Sequence, residues 1–543
     1  MASAFKIIRS EYLFNKITSH LNHTDLPHCS LVNRYWNSLF GPLVWHTLTF
    51  REDLHSEEPF HKNHRAILNQ KGLFIRQLYS HDCRSLVFFN GPQSRCRYLE
   101  ELEFTACLTH ESTTQAAQLI RDNLQLERLT IHGDFTLTQN SETPQNLFSA
   151  LLRHPALTHL QLCNIDTTID YLFVRALLVH LPLTLQSLVV SWKSITNLDP
   201  DQANASDPSW PTAYPRLRYL SIDTKLMDQT HQLLLFNLLR RCPELKELSI
   251  THMDEWITSY HSSLSSHDVA VLIRNHCPKI RRLSVNHCQQ SQLLALNLTG
   301  IESFQIGNSP SLSQLCTAIV AHWSSLKEIC FLRGTSVQSA DIQLLLTSCP
   351  LLTKFVVWPD KVRYDKNGVL LQGCSGLKLT EMTRSNWVCL GLEQLGLRIL
   401  DDRSFDESTT AKEQNQGTIM MRQALAQIGD LVLLQQLGLE WTPVIKTDPK
   451  SIQVPKDFIQ MDFSLLCGLN LLSELKQLRK LQVSVSGLAM GQAEMEWIID
   501  NWPKLNYISG LSRSLSSRSE STTENEQAEI GWLREHRSSL SVL

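Results

Sequence analysis

The sequence predicts an α/β fold in which a small N-terminal three-helix module precedes a long solenoid of strand–helix units. Two observations predict the solenoid: an apolar triplet recurs along most of the 543 residues, and prolines separate short helical segments from the next triplet. A third observation, apolar residues at helical spacing within residues 1–50, predicts the separate module.

The first predicted helix runs from Ser10 to Leu21. Leu13, Ile17 and Leu21 fall on one face of this helix, and Ser10 is a residue type that caps helix N-termini. The segment therefore has one apolar face, which is typical of a helix that packs on a partner.

Two further helices are predicted between residues 24 and 40. A helix start signal lies at Thr24. Pro27 is compatible with this start, because proline is tolerated in the first turn of a helix. The third helix is then indicated by an apolar stripe, formed by Leu31, Val32, Tyr35, Trp36 and Leu39. Together the three segments predict a compact helical module.

The apolar triplet has the form L-x-x-L-x-L, with Ile, Val or Phe as substitutes. Its first residues are Leu99, Leu126, Leu157, Leu185, Leu217, Leu245, Ile280, Ile301, Leu326, Leu352, Leu392, Leu434, Leu478 and Leu505. Successive side chains of a strand face opposite sides, so each triplet predicts a short strand with one buried face.

Between the triplets the apolar spacing changes to that of helices, as in the segments Thr230–Cys242 and Asp268–Cys277. Many of these segments end at a proline, which cannot continue a helix and restricts the residue before it. Stacked units of helix, proline turn and strand form a parallel sheet on the concave side and helices on the convex side, the leucine-rich-repeat solenoid. A HEAT-type helical array is the alternative, but it does not need short alternating strands.

The repeat period predicts the domain boundaries. The predicted divisions are 1–50 for the helical module, 51–98 for a linker and first capping repeat, 99–511 for the solenoid, 512–529 for a disordered linker and 530–543 for a C-terminal capping segment. Polar or proline-containing breaks in the period predict loop insertions near 199–211, 401–417 and 440–456. Trp532 to Arg537 is expected to form a short amphipathic helix that closes the end of the sheet.

The composition excludes several classes of function. A net charge of -3 provides no field that would attract nucleic acid or an anionic membrane. No secretory signal or apolar run of about 18 residues is present, which predicts a cytoplasmic or nuclear protein without membrane contact. The 14 cysteines include no C-x-x-C pair, so they are expected to be buried, reduced thiols.

No catalytic motif or cofactor site is predicted. The sequence lacks the phosphate-binding loop, the dinucleotide-binding glycine pattern, the serine nucleophile elbow and the H-E-x-x-H metal motif. His20, His23, His28 and Cys29 are close in sequence, but they have no recognised metal-ligand spacing, which favours surface or core roles. We therefore expect a protein that is not an enzyme and binds no metal or cofactor.

Residues 10–50 resemble the F-box. The resemblance lies in the first apolar helix, Asp25–Leu26, Cys29, Val32, Trp36 and a closing Leu43-x-Trp45, whereas Arg9–Ser10 stands where the family usually has Leu-Pro. Together with the repeats, the chain resembles the F-box/leucine-rich-repeat family, whose members are substrate receptors of SCF-type cullin-RING ubiquitin ligases. In that family the F-box binds a Skp-type adaptor, and the repeats hold the protein substrate. Ubiquitin transfer is carried out by other subunits.

The resemblance implies that the module contacts a Skp-type adaptor and, through it, a cullin, so that the chain is a monomer within a hetero-complex. The implied adaptor-binding residues are Leu13, Ile17, Leu21, Asp25, Leu26, Val32, Trp36, Leu39 and Trp45. An alternative interpretation is that the apolar members of this set only form the core of the module. In that case the chain would be an interaction scaffold with no ligase role.

Strand alternation also predicts a substrate-binding surface, because residues between the buried triplet positions point to the concave side. The predicted concave residues are Arg128, Thr130, His132, His159, Gln161, Tyr219, Ser221, Asp223, Glu247, Ser249, Arg282, Ser284, Asn286, Lys354, Val356 and Trp358. The candidates for substrate binding among them are Arg128, His159, Tyr219, Glu247, Arg282, Lys354 and Trp358, since aromatic and charged anchors dominate protein interfaces. Alternation sends Arg281 and Arg282 to opposite faces, which disfavours a double phosphate clamp and leaves Arg282 as a single contact.

Overall fold

The computed structural model of the protein describes the chain in segments, and the chain consists of two compact units, Met1–Leu245 and Lys246–Leu543. The described residues are 16–22, 24–50, 70–81, 86, 89, 96–105, 110–133, 142–152, 154–166, 177–194, 213–223, 235–251, 266–286, 295, 298–307, 312–332, 335, 337–357, 376–401, 411–443, 464–465, 467–484, 492–510, 531–532, 535–537 and 540–542.

The first unit begins with the predicted helical module. Helix α1 spans Asp25–Leu31 and helix α2 spans Arg34–Val44. Helix α2 begins directly after Asn33, whose side chain accepts a hydrogen bond of 2.9 Å from the Trp36 N–H and so caps the helix. Of the first predicted helix, residues 16–18 are helical, while Ser10 and Leu13 lie outside the described residues.

The rest of the first unit alternates strands with helices. Its described strands are β1 Thr47–Phe50, β2 Gln77–Ser80, β3 Glu101–Thr105, β4 Arg128–His132, β5 His159–Asp166, β6 Ser187–Ser194 and β7 Tyr219–Asp223. Each strand pairs in parallel with the next. The helices are α3 His110–Asp122 and α4 Glu142–Leu152, with a 3-10 turn at Gly72–Phe74.

The second unit repeats this arrangement. Its described strands are β8 Glu247–Thr251, β9 Arg282–Asn286, β10 Ser303–Ile306, β11 Glu328–Phe331, β12 Lys354–Val357, β13 Leu377–Lys378, β14 Gln394–Asp401, β15 Gln436–Pro443, β16 Lys480–Ser484, β17 Tyr507–Ser509 and β18 Ser541–Val542. Its helices are α5 Ser266–His276, α6 Leu312–Val320, α7 Ser339–Ser348, α8 Leu379–Met382, α9 Ala411–Gly429 and α10 Gln492–Asn501, with a 3-10 turn at Leu469–Leu472. All pairings are parallel, and β12 and β13 both pair with the long strand β14.

The triplet residues form the core of each unit. In β4, Leu129 and Ile131 are buried, while the residues between and beside them face solvent. The in-register partners of Leu129 are Leu102 and Leu160, so the same triplet position stacks from strand to strand. Full burial of each such side chain contributes about 1.5 to 3 kcal/mol before entropy is subtracted. The predicted α/β repeat fold is confirmed, and the parallel strands rule out the HEAT-type alternative.

The residue before two of the predicted proline turns is buried and contacts the preceding repeat through a ring nitrogen. His154 Nε2 lies 2.8 Å from the Asn123 carbonyl oxygen, and the Trp502 indole N–H donates to the Leu472 carbonyl at 3.1 Å. His322 Nε2 makes the same kind of contact, 2.8 Å from the Ala295 carbonyl oxygen, although no proline follows it. A buried backbone carbonyl needs such a partner, so the side chains of His154, His322 and Trp502 join neighbouring repeats.

His154 is expected to make the stability of the first unit depend on pH. Burial lowers the pKa of His154 from its ordinary value of 6.5, and the hydrogen bond with Asn123 offsets this only in part. Because the unfolded chain then binds the proton more readily, the stabilisation is complete above about pH 6.5 and is lost as the pH falls below that value.

The measurement is urea denaturation of the wild type and of His154→Cys at pH 7.5 and 5.5. Cysteine occupies the equivalent buried position before Pro243, Pro278 and Pro350 and carries no charge at these pH values. We expect the loss of stability at pH 5.5 to be smaller in His154→Cys than in the wild type. Substitution of the exposed His180 by cysteine is the control and should leave the pH dependence unchanged.

The strand series begins earlier than residue 99, where the triplets predicted its start. Strands β1 and β2 already pair in parallel, with Leu48 opposite Leu78. The triplet pattern missed β2 because its third position is Ser80, a buried polar residue. Strand β1, within the predicted module, and strand β2, within 51–98, are therefore both part of the sheet.

Two C-terminal expectations also change. Residues 411–417, predicted as part of a loop, form the polar start of helix α9. The predicted C-terminal cap includes a strand, because β18 pairs with β17 and places Ser541 opposite Tyr507. Trp532 and His536 are both helical residues, and their rings stack with centroids 4.0 Å apart. The predicted loop 199–211, residues 444–456 and the linker 512–529 lie outside the described residues.

The described cysteines are free thiols, many of them buried as predicted. Burial raises the pKa of Cys277 to about 12 and that of Cys349 to about 11, so these thiols carry no charge at neutral pH. Among the described residues no group of three His, Cys, Asp or Glu side chains could hold a metal ion. His23 lies outside the described residues.

None of the helices in the described segments has the length and apolar character needed to cross a membrane.

Candidate protein-binding surfaces

The turn between α1 and α2 exposes two large apolar side chains. Leu31, the last residue of α1, is 81% exposed, and Val32, which follows it, is 59% exposed. Ile17 is also exposed. Two adjacent apolar residues in solvent have a free-energy cost that contact with a partner would remove. We call Leu31 and Val32 the turn pair.

The other predicted adaptor-binding residues divide between the surface and the interior of the module. Leu26 is buried, and Trp36 packs against the buried Phe40 with ring centroids 5.2 Å apart. The remaining side chains, those of Leu21, Leu39 and Trp45, are half-buried. The Asp25 carboxylate accepts a hydrogen bond of 2.9 Å from the Asn22 N–H at the start of α1. Leu13 lies outside the described residues.

Leu31 was placed in the apolar stripe but not among the predicted contacts, although it is the more exposed member of the turn pair. The sequence did contain a signal for it. Leu31 and Val32 directly precede Asn33, a residue type that caps helices. Residues next to such a cap lie in the turn between two helices, where a side chain is less easily buried.

In both units, the strand residues that alternate with the buried triplet positions form a solvent-facing surface, which we call the open face. In the first unit, Arg128 and His159 are in register on adjacent strands, and Tyr219 continues the same row two strands further along. The structure therefore brings three of the predicted substrate-binding residues into one row.

Polar and charged side chains on this part of the open face lie close to one another. The Arg128 guanidinium lies 3.6 Å from the Glu101 carboxylate, and His132 lies 3.3 Å from Glu103. Burial and the neighbouring Glu101 raise the pKa of Tyr79 to about 12. Burial and, to a smaller extent, the positive charge of Arg128 lower the pKa of His159. The surface is polar and nearly balanced in charge.

The second unit places Glu247, Arg282 and Lys354 on one row of its open face. Arg282 and Glu247 are in register and form an exposed ion pair of 3.6 Å. Arg281 lies outside the strand and donates a hydrogen bond of 3.1 Å to the Ile280 carbonyl. The side chains of Arg281 and Arg282 therefore point in different directions. Strand alternation predicted this difference. Trp358 lies outside the described residues.

Sequence reasoning missed a pocket on the open face of the second unit. Its floor is formed by Gly396 and Gly438, which are in register on β14 and β15. The pocket encloses about 160 Å³. Its lining includes Val356, Gln394, Gln436, Glu440, Lys480 and Gln482. Val356 was expected to be a solvent-facing residue, but it is buried at the wall of the pocket and reaches over the Gly396 backbone.

A buried ion pair borders the same pocket. Arg398 is fully buried and donates a hydrogen bond of 2.9 Å to the Glu440 carboxylate on the neighbouring strand. Burial raises the pKa of Glu440, and Arg398 offsets this effect only in part. The two opposite charges make this wall of the pocket nearly neutral.

Comparison with known proteins identifies the module. Residues 13–51, which include α1 and α2, match the F-box-like family. No match to the chain was found among curated proteins. The crystal structure of the Rad7 and Elc1 complex in yeast contains a similar chain, with 13% sequence identity, a TM-score of 0.37, and coverage of 77% of this chain and 99% of that chain.

The chain therefore combines an F-box-like module with parallel strands and helices in repeated units. The F-box-like match supports an adaptor role within a cullin-RING ligase and contact with an adaptor subunit of such a complex. Subunits of this kind are generally non-catalytic.

Proposed function

We propose that this chain is the substrate-recognition subunit of an SCF-type E3 ubiquitin ligase in the cytoplasm or nucleus. Its helical module binds a Skp-type adaptor and, through it, a cullin, while the open face of the repeats binds a protein substrate. The chain itself catalyses no reaction. The observation that carries the proposal is the exposed turn pair within the segment that matches the F-box-like family.

The turn pair is suited to be the centre of the adaptor contact. Leu31 and Val32 project from the turn between two packed helices, so little ordering is needed before they dock. Burying a large apolar side chain contributes about 1.5 to 3 kcal/mol when it was fully exposed. Leu21 and Leu39 are half-buried and would add to the contact, while Leu26 is buried within the module.

The open face is suited to substrate binding for a different reason. Its rows carry Arg128, His159 and Tyr219 in the first unit and Glu247, Arg282 and Lys354 in the second. Arginine and tyrosine are enriched among residues that dominate protein interfaces. Their polar, locally paired character favours a protein partner over a polyanion.

The proposal predicts that the turn pair controls adaptor affinity. We expect Leu31→Ser together with Val32→Ser to weaken binding of a purified Skp-type adaptor at least tenfold, since each tenfold loss corresponds to about 1.4 kcal/mol. Isothermal titration calorimetry with the full chain measures this affinity. The matched control is Val432→Ser with Leu433→Ser, which removes an exposed Val-Leu pair from the second unit. This control should bind the adaptor like the wild type.

Failure of the wild-type chain to bind the adaptor would contradict the proposal, as would equal weakening by the two double variants. If the wild type does not bind the adaptor but still captures a protein partner through its repeats, the chain is an interaction scaffold with no ligase role. That was the alternative function predicted from the sequence.

A further inference from the structure

Of the two glycines of the pocket floor, Gly438 is not required by the packing of the described residues, whereas a Cβ added at Gly396 would lie 3.0 Å from Val356 Cγ1. A Cβ added at Gly438 would meet only the Gly396 Cα at 3.7 Å and the Leu395 carbonyl oxygen at 3.8 Å, which are ordinary contacts. Glycine weakens a strand interior, and it often marks a place where a ligand or another backbone comes close. The open space above Gly438 is therefore available to a binding partner.

The pocket has the size of an aromatic ring. It encloses about 160 Å³, and an apolar protein cavity of about 150 Å³ is large enough to hold benzene. Val356 supplies an apolar wall, and Gln436 and Gln482 are exposed amides at the rim. Glutamine amides can both donate to and accept from the backbone of an extended peptide.

Two lysines flank this pocket in the same row of the open face. The in-register row runs from Lys354 through Gln394 and Gln436 to Lys480. Lys480 also lies over the Tyr507 ring, with its Nζ 4.8 Å from the ring centroid. Glu328 is beside Lys354, but its carboxylate accepts a hydrogen bond from the hydroxyl of Ser303, which is on the strand away from Lys354. The two ends of the row therefore favour negatively charged groups.

The spacing of the row sets the spacing of those groups. Three strand steps of about 4.8 Å separate the two lysine positions by roughly 14 Å, which an extended peptide covers in about four residues. The glycine floor lies on the two strands between the lysines. A side chain midway between two acidic residues would therefore reach the pocket.

We propose that the pocket binds an extended substrate segment that crosses the strands and carries an aromatic residue with an acidic residue two positions before and two positions after it. The aromatic ring lies on Gly396 and Gly438, and the carboxylates face Lys354 and Lys480. This proposal names the substrate class of the open face and rests on the function proposed above.

The test uses the full chain and a labelled peptide, Gly-Ser-Asp-Ser-Phe-Ser-Asp-Ser-Gly, with binding followed by fluorescence anisotropy. We expect this peptide to bind at least tenfold more tightly than the same peptide with alanine in place of phenylalanine. A peptide with both aspartates replaced by lysine should bind at least tenfold more weakly.

Protein variants then locate the binding. Gly438→Val fills the floor of the pocket with a residue type that suits strands. We expect this variant to bind the phenylalanine peptide at least tenfold more weakly than the wild type does. Ser284→Val is the matched control, because it adds the same side chain to the open face of β9, away from the pocket. The double variant Lys354→Glu with Lys480→Glu should bind the peptide with both aspartates replaced by lysine more tightly than the original peptide.

Equal binding of the phenylalanine and alanine peptides would overturn the proposal, and so would unchanged binding by Gly438→Val. Dimerisation of the chain that Gly438→Val abolishes would also overturn it, since a second copy would then be the occupant. Adaptor affinity, measured in parallel, should be the same in Gly438→Val and the wild type. If the wild type binds the adaptor but does not distinguish the phenylalanine peptide from the alanine peptide, only the substrate class is refuted.

Discussion

Trp502→Ala is expected to lower the free energy of unfolding of the second unit by about 3 to 5 kcal/mol, the range for deleting a large buried aromatic side chain. Trp502 is fully buried before the last proline turn, and it packs edge-to-face on Trp497 with ring centroids 5.3 Å apart. Its indole N–H also donates to the Leu472 carbonyl in the preceding repeat. The substitution removes packing and leaves that carbonyl without this donor.

Urea denaturation followed by far-ultraviolet circular dichroism measures the change, because this signal comes mainly from the backbone of helices and strands rather than from the lost tryptophan. The matched control is Trp323→Ala, which removes the same side chain from an exposed position. Substitutions at exposed positions usually change stability by no more than about 0.5 kcal/mol. Similar destabilisation by the two variants would show that Trp502 has no special role in joining the repeats.

The sequence predicted the repeated unit well because the unit depends on local patterns. Three apolar residues at fixed spacing and a proline are sufficient to place strands such as β5 and β9, with Leu160 and Leu283 buried in register with their neighbours. Strand β2 was missed for the same reason, since Ser80 breaks the pattern without breaking the strand. The helical start of α9 was missed because its first turns are polar.

The binding surfaces were predicted less completely because they depend on neighbours that are distant in sequence. Alternation correctly placed Arg282 on the open face, but it could not show that Glu247, 35 positions earlier in the sequence, pairs with it. The pocket requires two glycines from different repeats to be in register, which only the strand pairing reveals. The exposed turn pair likewise depends on how α1 and α2 pack.

The buried contacts between repeats were not predicted at all, and Asn123 shows why they matter. Its side-chain oxygen accepts a hydrogen bond of 2.8 Å from the Leu99 N–H, and its amide donates to the Cys96 carbonyl at 3.1 Å. The amide also donates to the Leu119 carbonyl at 2.8 Å, within its own repeat. A single polar residue at the end of helix α3 thus satisfies backbone groups at the start of another strand. Sequence patterns treat such a residue only as a break in the apolar spacing.

Replacing Asn123 by leucine, which has a similar size, is expected to destabilise the first unit by about 2 to 5 kcal/mol. The Leu99 N–H and the Cys96 carbonyl would each lose this buried partner, and an unsatisfied buried group costs about 1 to 3 kcal/mol. Urea denaturation measures the effect, with Gln125→Leu as the control. Gln125 lies two residues away and donates to the Arg97 carbonyl at 2.6 Å, but this contact is exposed, so water can replace it. Equal stability of the two variants would mean that Asn123 does not hold the first repeats together.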